Sequence, residues 1–115
     1  MSEPSHLLPL KPIELLILTM LASGERHGYG ILQDILDHTK GRVEIEAGNL
    51  YRHIRGLEDD DLVQSARAPK GETDERRIYY RLTPLGHRVL AAELRRLRDL
   101  VRLAEARGII APVPA

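Results

Sequence analysis

The residues of this chain whose types could do chemistry are its histidines, with His27, His53 and His87 spread along it, and an acidic run, "EDDD", at positions 58–61. Such side chains hold a metal only when several converge, and the paired ligands of a metal site usually show short, regular spacing. These three histidines fall on three different predicted elements without that spacing, and they read as surface or helix-terminal residues. The acidic run lacks the Gly and Glu positions of a calcium loop and reads as a solvated helix end, although carboxylates there oppose the helix dipole. The chain has no cysteine, so neither a disulfide framework nor thiolate chemistry is open to it. No nucleophile and base emerge as a pair. The expectation is no enzyme, no metal and no cofactor.

Arginine and tyrosine offer a different chemistry, the recognition of a polyanion. A guanidinium matches both a phosphate and a guanine edge with two hydrogen bonds. The chain carries 17 basic and 17 acidic residues in 115, so its zero net charge gives no hint of such a partner. The distribution does: residues 1–39 sum to −3, 40–57 to +2, 58–61 to −4, 62–82 to +2 and 83–115 to +3. Positive charge gathers in three segments, and the elements decide whether one surface collects them.

A chain of this length makes one domain. It lacks the basic-then-apolar start of a signal peptide, and its longest mainly apolar run, Ile13 to Ala22, is far short of the roughly 18 residues that span a bilayer. A cytoplasmic protein with no membrane partner is expected. Residues 1–11 read as an irregular arm, the stretch "SEPSHLLPLKP" holding three prolines in eleven residues. Pro12 suits a first helical position, and Ile13, Leu16, Ile17, Met20 and Leu21 recur at helix spacing up to Gly24. A second helix is predicted from about His27 to Thr39, with Ile31 and Ile35 inward; Gly28 and Gly30 imply close approach to another backbone. "RVEIE" alternates and reads as a short strand. A third helix, about Ala47 to Asp60, puts Leu50, Ile54 and Leu57 on one face and Gly48, Asn49, Arg52, Arg55 and Gly56 on the other. Tyr51 lies at the boundary, where core packing and a phosphate hydrogen bond are both open to it. Three such helices are what a helix-turn-helix core needs.

"LVQSARAPKGETDERRIYYRLT" reads as a hairpin with a long turn over Pro69 to Asp74, including Lys70. In its second strand Ile78, Tyr80 and Leu82 should face the helices, while Arg77, Tyr79 and Arg81 face outward. Thr83 then supplies a cap hydroxyl and Pro84 the first position of a last helix, which runs to about Arg107 before Gly108. On it Leu90, Leu94, Leu97, Val101 and Ala104 keep the spacing of a coiled-coil seam. A second stripe, Leu85, Val89, Ala92, Leu100 and Leu103, lies about 130° away. One body of this size can cover only one stripe, so the seam is expected to meet a second copy. Arg88, Arg95, Arg98 and Arg102 read as a solvated stripe beside it.

The segments "HGYGILQDI", "GNLYRHIRGLEDDDLV" and "RRIYYRLTPLGHRVL", with their spacing, resemble the PadR family of bacterial transcriptional regulators over about residues 12–105. The resemblance implies a mainly α fold with a small hairpin: a winged helix-turn-helix domain over 12–83, a dimerisation helix over 84–108 and a tail over 109–115. It implies that the third helix enters the DNA major groove, the family motif falling on Gly48, Asn49, Leu50 and Tyr51; Arg52 and Arg55, on the exposed face of that helix, would then meet guanine edges or phosphates. The hairpin is then a wing, whose Arg/Tyr strand falls on Arg76, Arg77, Tyr79 and Tyr80, and the outward Arg81 and the turn residue Lys70 are added to the DNA-binding set. The function implied is that of a homodimeric repressor on an inverted-repeat operator, released by a small-molecule effector. Two departures stand out: Asp61 replaces the family's usual Gly after the recognition helix, and Glu46 replaces its usual hydroxyl cap. Zero net charge leaves a second reading open, a winged-helix module that binds protein rather than a DNA sequence.

Overall fold

The computed structural model describes residues 7–67, 71 and 77–114. Its first helix, α1 (Pro12–Leu21), opens on the proline and buries Ile17, Leu18 and Leu21. A two-residue strand, β1 (Arg26–His27), leads into α2 (Gly28–His38), which His27 caps by accepting the Gly30 N–H at its Nδ1. Lys40, at φ +54, reverses the chain after α2: its N–H donates to the Asp37 carbonyl and that of Gly41 to the Leu36 carbonyl. This pair of bonds satisfies carbonyls that a helix end leaves open.

The third helix, α3 (Ala47–Asp59), turns Leu50, Ile54 and Leu57 into the core, each at most 1 % exposed. Burying a side chain of this size stabilises by about 1.5–3 kcal/mol. The helix ends in the same kind of turn, with Asp61 at φ +62 in the left-handed position. The Asp61 N–H donates to Glu58 and the Leu62 N–H to Leu57, and both leucines are buried. Aspartate tolerates this conformation better than most residues, so the turn forms although the glycine is missing.

Two more strands follow, β2 (Val63–Ala66) and β3 (Tyr79–Leu82), then the long helix α4 (Pro84–Ala106). The sheet is antiparallel in the order β1-β3-β2, with Arg26 opposite Tyr80 and Val63 opposite Leu82. Thr83 joins strand to helix without a loop. Its hydroxyl accepts from the Gly86 N–H and donates to the Asp61 carbonyl, and its own N–H donates to the Leu62 carbonyl. Gly86 lies so close to the Leu62 carbonyl that any Cβ there would collide with it.

Four expectations are corrected. "RVEIE" forms no strand: the Val43 N–H donates to the Thr39 hydroxyl of the preceding turn, and Val43 and Ile45 use their alternation to anchor on the core. The third strand is instead Arg26–His27, too short for periodicity to reveal. Gly28 and Gly30 do not meet another backbone; a Cβ on Gly28 would strike the Tyr51 ring, and Gly30 lies beside the ring of His27. Leu90 is 5 % exposed and belongs to the core with Leu85 and Val89, not to an outward seam. The second stripe is covered only in part, because Leu100 and Leu103 are about half exposed. Glu93 is the last buried residue of α4, and most of the helix beyond it is exposed. The radius of gyration, 15.8 Å, accordingly exceeds the roughly 13 Å of a compact chain of about this size.

Candidate nucleic-acid interface

The outward face of α3 carries Asn49, Arg52 and Arg55 on a base fixed by Leu50, Ile54 and Leu57. Arg52 donates through Nη2 to the Asn49 amide oxygen one turn before it. Behind them His53 meets Glu14 of α1 at 3.6 Å, tying α3 to α1. Gly48 and Gly56 have open space where a Cβ would be. Glycine inside a helix costs about 1 kcal/mol relative to alanine, and no contact among the described residues explains either one. Glu46 occupies the cap position with extended backbone but makes no side-chain cap bond.

Between α3, the start of α2 and the base of the wing lies a cleft of about 440 Å³, lined by His27, Gly28, Tyr29, Tyr51, Ile54, Arg55, Glu58, Arg77, Ile78 and Tyr80. It continues toward β2, past Glu58, Arg77, Ile78 and Tyr80, into a hollow of about 700 Å³ beside Ser65, Ala66 and Arg67. Tyr51 spans from α3 across Gly28, which leaves its hydroxyl over the first turn of α2. Arg77 contacts His27 Nε2 at 3.1 Å, while His27 Nδ1 accepts the Gly30 N–H at 3.0 Å. A neutral imidazole has one acceptor nitrogen, so His27 serves the helix cap or Arg77 but not both. Burial, and after it the Glu58 carboxylate, pushes the Tyr80 phenol above its ordinary value. At neutral pH it is an uncharged hydroxyl.

The outer residues of β3 lie differently from expectation. Tyr79 is 8 % exposed, because the His27 ring meets it edge-on at 5.2 Å across the paired strands. Arg81 points outward, as expected, but toward Glu25 at 3.6 Å. Neither lines the cleft. Ile78 shares the face of Tyr80 and Leu82 yet is 57 % exposed, since it lies beyond the end of the strand. Lys70 and Arg76 fall outside the described residues. The sequence reading therefore found Tyr51, Arg55, Arg77 and, through the wing motif, Tyr80 of the cleft. It missed His27, Tyr29, Glu58 and Ile78, whose meeting depends on the pairing of β1 with β3.

The isolated histidines have ordinary settings: His27 is a cap, His53 faces Glu14, and His87 is exposed on α4. Among the described residues no group of three or more His, Cys, Asp or Glu could hold a metal ion. No helix among them is long and apolar enough to cross a membrane.

A three-helix core with a small antiparallel sheet whose last two strands extend beside the third helix defines a winged-helix protein. Comparison with known proteins narrows this. The sequence model of the transcriptional regulator PadR-like family matches residues 17–92, and the chain belongs to that family. Its members are regulators of transcription and not enzymes. A PadR family transcription regulator from Clostridium difficile superposes with a TM-score of 0.70 at 22 % identity, over 84 % of this chain and 97 % of that one. Bacillus subtilis PadR, solved with operator DNA, gives 0.63 at 23 % identity over 73 % of this chain and 47 % of that one. An uncharacterised protein of Lysinibacillus sphaericus is 28 % identical over 94 residues, which is 76 % of this chain and 85 % of that protein.

Proposed function

We propose that this chain is a homodimeric repressor that binds an inverted-repeat operator and blocks promoter DNA by occupying it. The observation that carries the reading is the placement of Asn49, Arg52 and Arg55 on a helix face anchored from behind, with Arg77 of the wing base across the adjoining cleft. An α-helix of about 10–12 Å diameter fits a major groove about 12 Å wide. The cleft then straddles one backbone strand, with Tyr51, Arg55 and Arg77 toward its phosphates. The bare backbone at Gly48 and Gly56 lets a DNA strand come close, and the solved complex of Bacillus subtilis PadR with its operator supports the same use of the fold.

Residues 12–83 read the DNA and residues 84–108 join two copies. Beyond Glu93, α4 exposes Leu94, Leu100, Val101 and Leu103, each between 44 % and 54 %. With half-buried Leu97 and Ala104, these residues form an apolar end that a second α4 covers along the seam Leu94, Leu97, Val101 and Ala104. A small-molecule effector would lie against this end. The chain has neither Trp nor Phe, so aliphatic contact rather than ring stacking would hold it. We take the protein to act in the cytoplasm, where promoter DNA is.

The test is a mobility shift on the DNA upstream of its own gene, repeated at rising salt, with the mass of the free protein measured by sedimentation. Expected are a dimer, a two-fold footprint, and an affinity whose logarithm falls linearly with the logarithm of salt. A chain with no sequence preference and no salt dependence would instead be a protein-binding winged module.

A further inference from the structure

Glu93 is 1 % exposed, yet it is a carboxylate. A buried charge is costly unless hydrogen-bonded, and here each oxygen has its own partner. Oε2 accepts the backbone N–H of Leu10 at 2.8 Å, and Oε1 accepts from Nε of Arg96 one turn further along α4. The arm that supplies Leu10 lies against the core through Leu7, Leu8 and Leu10. Glu93 is also the last buried residue of α4, and every position from Arg98 to Leu103 is exposed.

Beyond its hydrogen-bonded start at Thr83 and Gly86, the contacts that seat α4 up to this point, through Leu85, Val89 and Leu90, are apolar. Apolar contact is non-directional and by itself tolerates a change of tilt. A hydrogen bond has a preferred direction and length. The bond from Leu10 to Glu93 thus adds orientation at the one place where tilt matters, the point where the helix leaves the domain.

We propose that Glu93 is a positioning residue: by holding the backbone of the arm against α4 at its exit, it fixes the angle of that helix and thereby the distance between the two half-sites a dimer engages. The proposal rests on the dimeric reading above. Beyond Glu93 the helix continues for 13 residues, to Ala106, a lever of about 20 Å at 1.5 Å per residue. A tilt of about 10° displaces its tip by roughly 3.5 Å, the rise of about one base pair. The carboxylate therefore has the leverage to select among operator spacings.

The experiment uses the inverted repeat footprinted upstream of its own gene, re-synthesised with its halves moved apart or together one base pair at a time. Affinity across this series is measured for the wild type, Glu93→Gln and Leu10→Pro. Leu10→Pro removes the N–H from the other side of the same bond and leaves Glu93 paired with Arg96, so it decides the matter if Glu93→Gln does not fold. Both variants should stay dimeric and keep wild-type affinity for a single half-site. Their preference for the native spacing over its neighbours should fall by about fivefold or more, comparable to one lost base contact. Variants with the wild-type spacing profile, or with affinity lowered equally at every spacing, overturn the proposal while leaving the dimeric reading intact. A wild type that sediments as a monomer overturns both.

Discussion

Arg52 is exposed on α3 and has one described neighbour, Asn49, to which it donates. If it meets phosphate, Arg52→Ala should weaken all sequences alike and reduce the log-log salt slope by about one per site. If it reads guanine, the loss should be about 1–3 kcal/mol with preference relaxed at one base pair. Titration of cognate and scrambled duplexes at several salt concentrations separates the two, and unchanged values in both would remove Arg52 from the interface. Asp61 is the other residue whose role can be isolated. It holds a left-handed position at φ +62, where an L side chain is strained and a glycine is not. Asp61→Gly should raise stability by about 0.5–1 kcal/mol, seen as a higher urea midpoint at constant slope. At this scale the sequence was legible where a residue's effect is local, as with Asp61 or the Thr83 cap. It was illegible where exposure depends on a distant partner, as when His27 covers Tyr79 from a strand more than 50 positions away.

At the level of elements, helices α1 to α4 were readable because each carries its own apolar stripe and its own stop signals. The sheet was not, for two reasons: a two-residue strand has no period, and the alternation of "RVEIE" serves anchoring rather than pairing. The seam on α4 began too early, at Leu90, because spacing cannot tell where the domain beneath a helix ends. Glu93, at that end, gives a pH-dependent prediction. The Arg96 guanidinium and, more weakly, the Leu10 N–H hold its carboxyl below the ordinary value of 4.5, against the opposing effect of burial. A carboxyl depressed in the folded state contributes stability that is present above its unfolded value and is lost as pH falls through the folded one. Thermal melts between about pH 6 and pH 3 should therefore show the wild type losing stability more steeply than Glu93→Gln, whose amide does not titrate in this range. Equal slopes would mean that the carboxylate is no better partnered in the fold than out of it.

For the molecule as a whole, DNA affinity should depend on residues that touch no DNA. Leu94 is 45 % exposed and Leu97 half-buried on the free part of α4, so charging them leaves the domain core whole. Replacing both by Glu in each copy removes four leucines from the seam, each worth roughly 1.5–3 kcal/mol when buried. Sedimentation should then give a monomer, and operator affinity should fall to that of one half-site, since the paired site needs recognition helices about 34 Å apart. A variant that stays dimeric would move the interface elsewhere. The sheet order has a consequence of another kind, for how the chain comes to be folded at all. β3 is last among the strands in sequence but central in space, and Tyr80 pairs with Arg26 far upstream. Neither outer strand has a neighbour until it arrives, and closing that long a loop carries an entropy cost met before any pairing is gained. During synthesis the first three helices must therefore wait, sheetless, until residue 82 has emerged. Because α4 starts two residues later and ends only at Ala106, the strands of the winged body are complete in sequence before the exposed end of that helix has emerged.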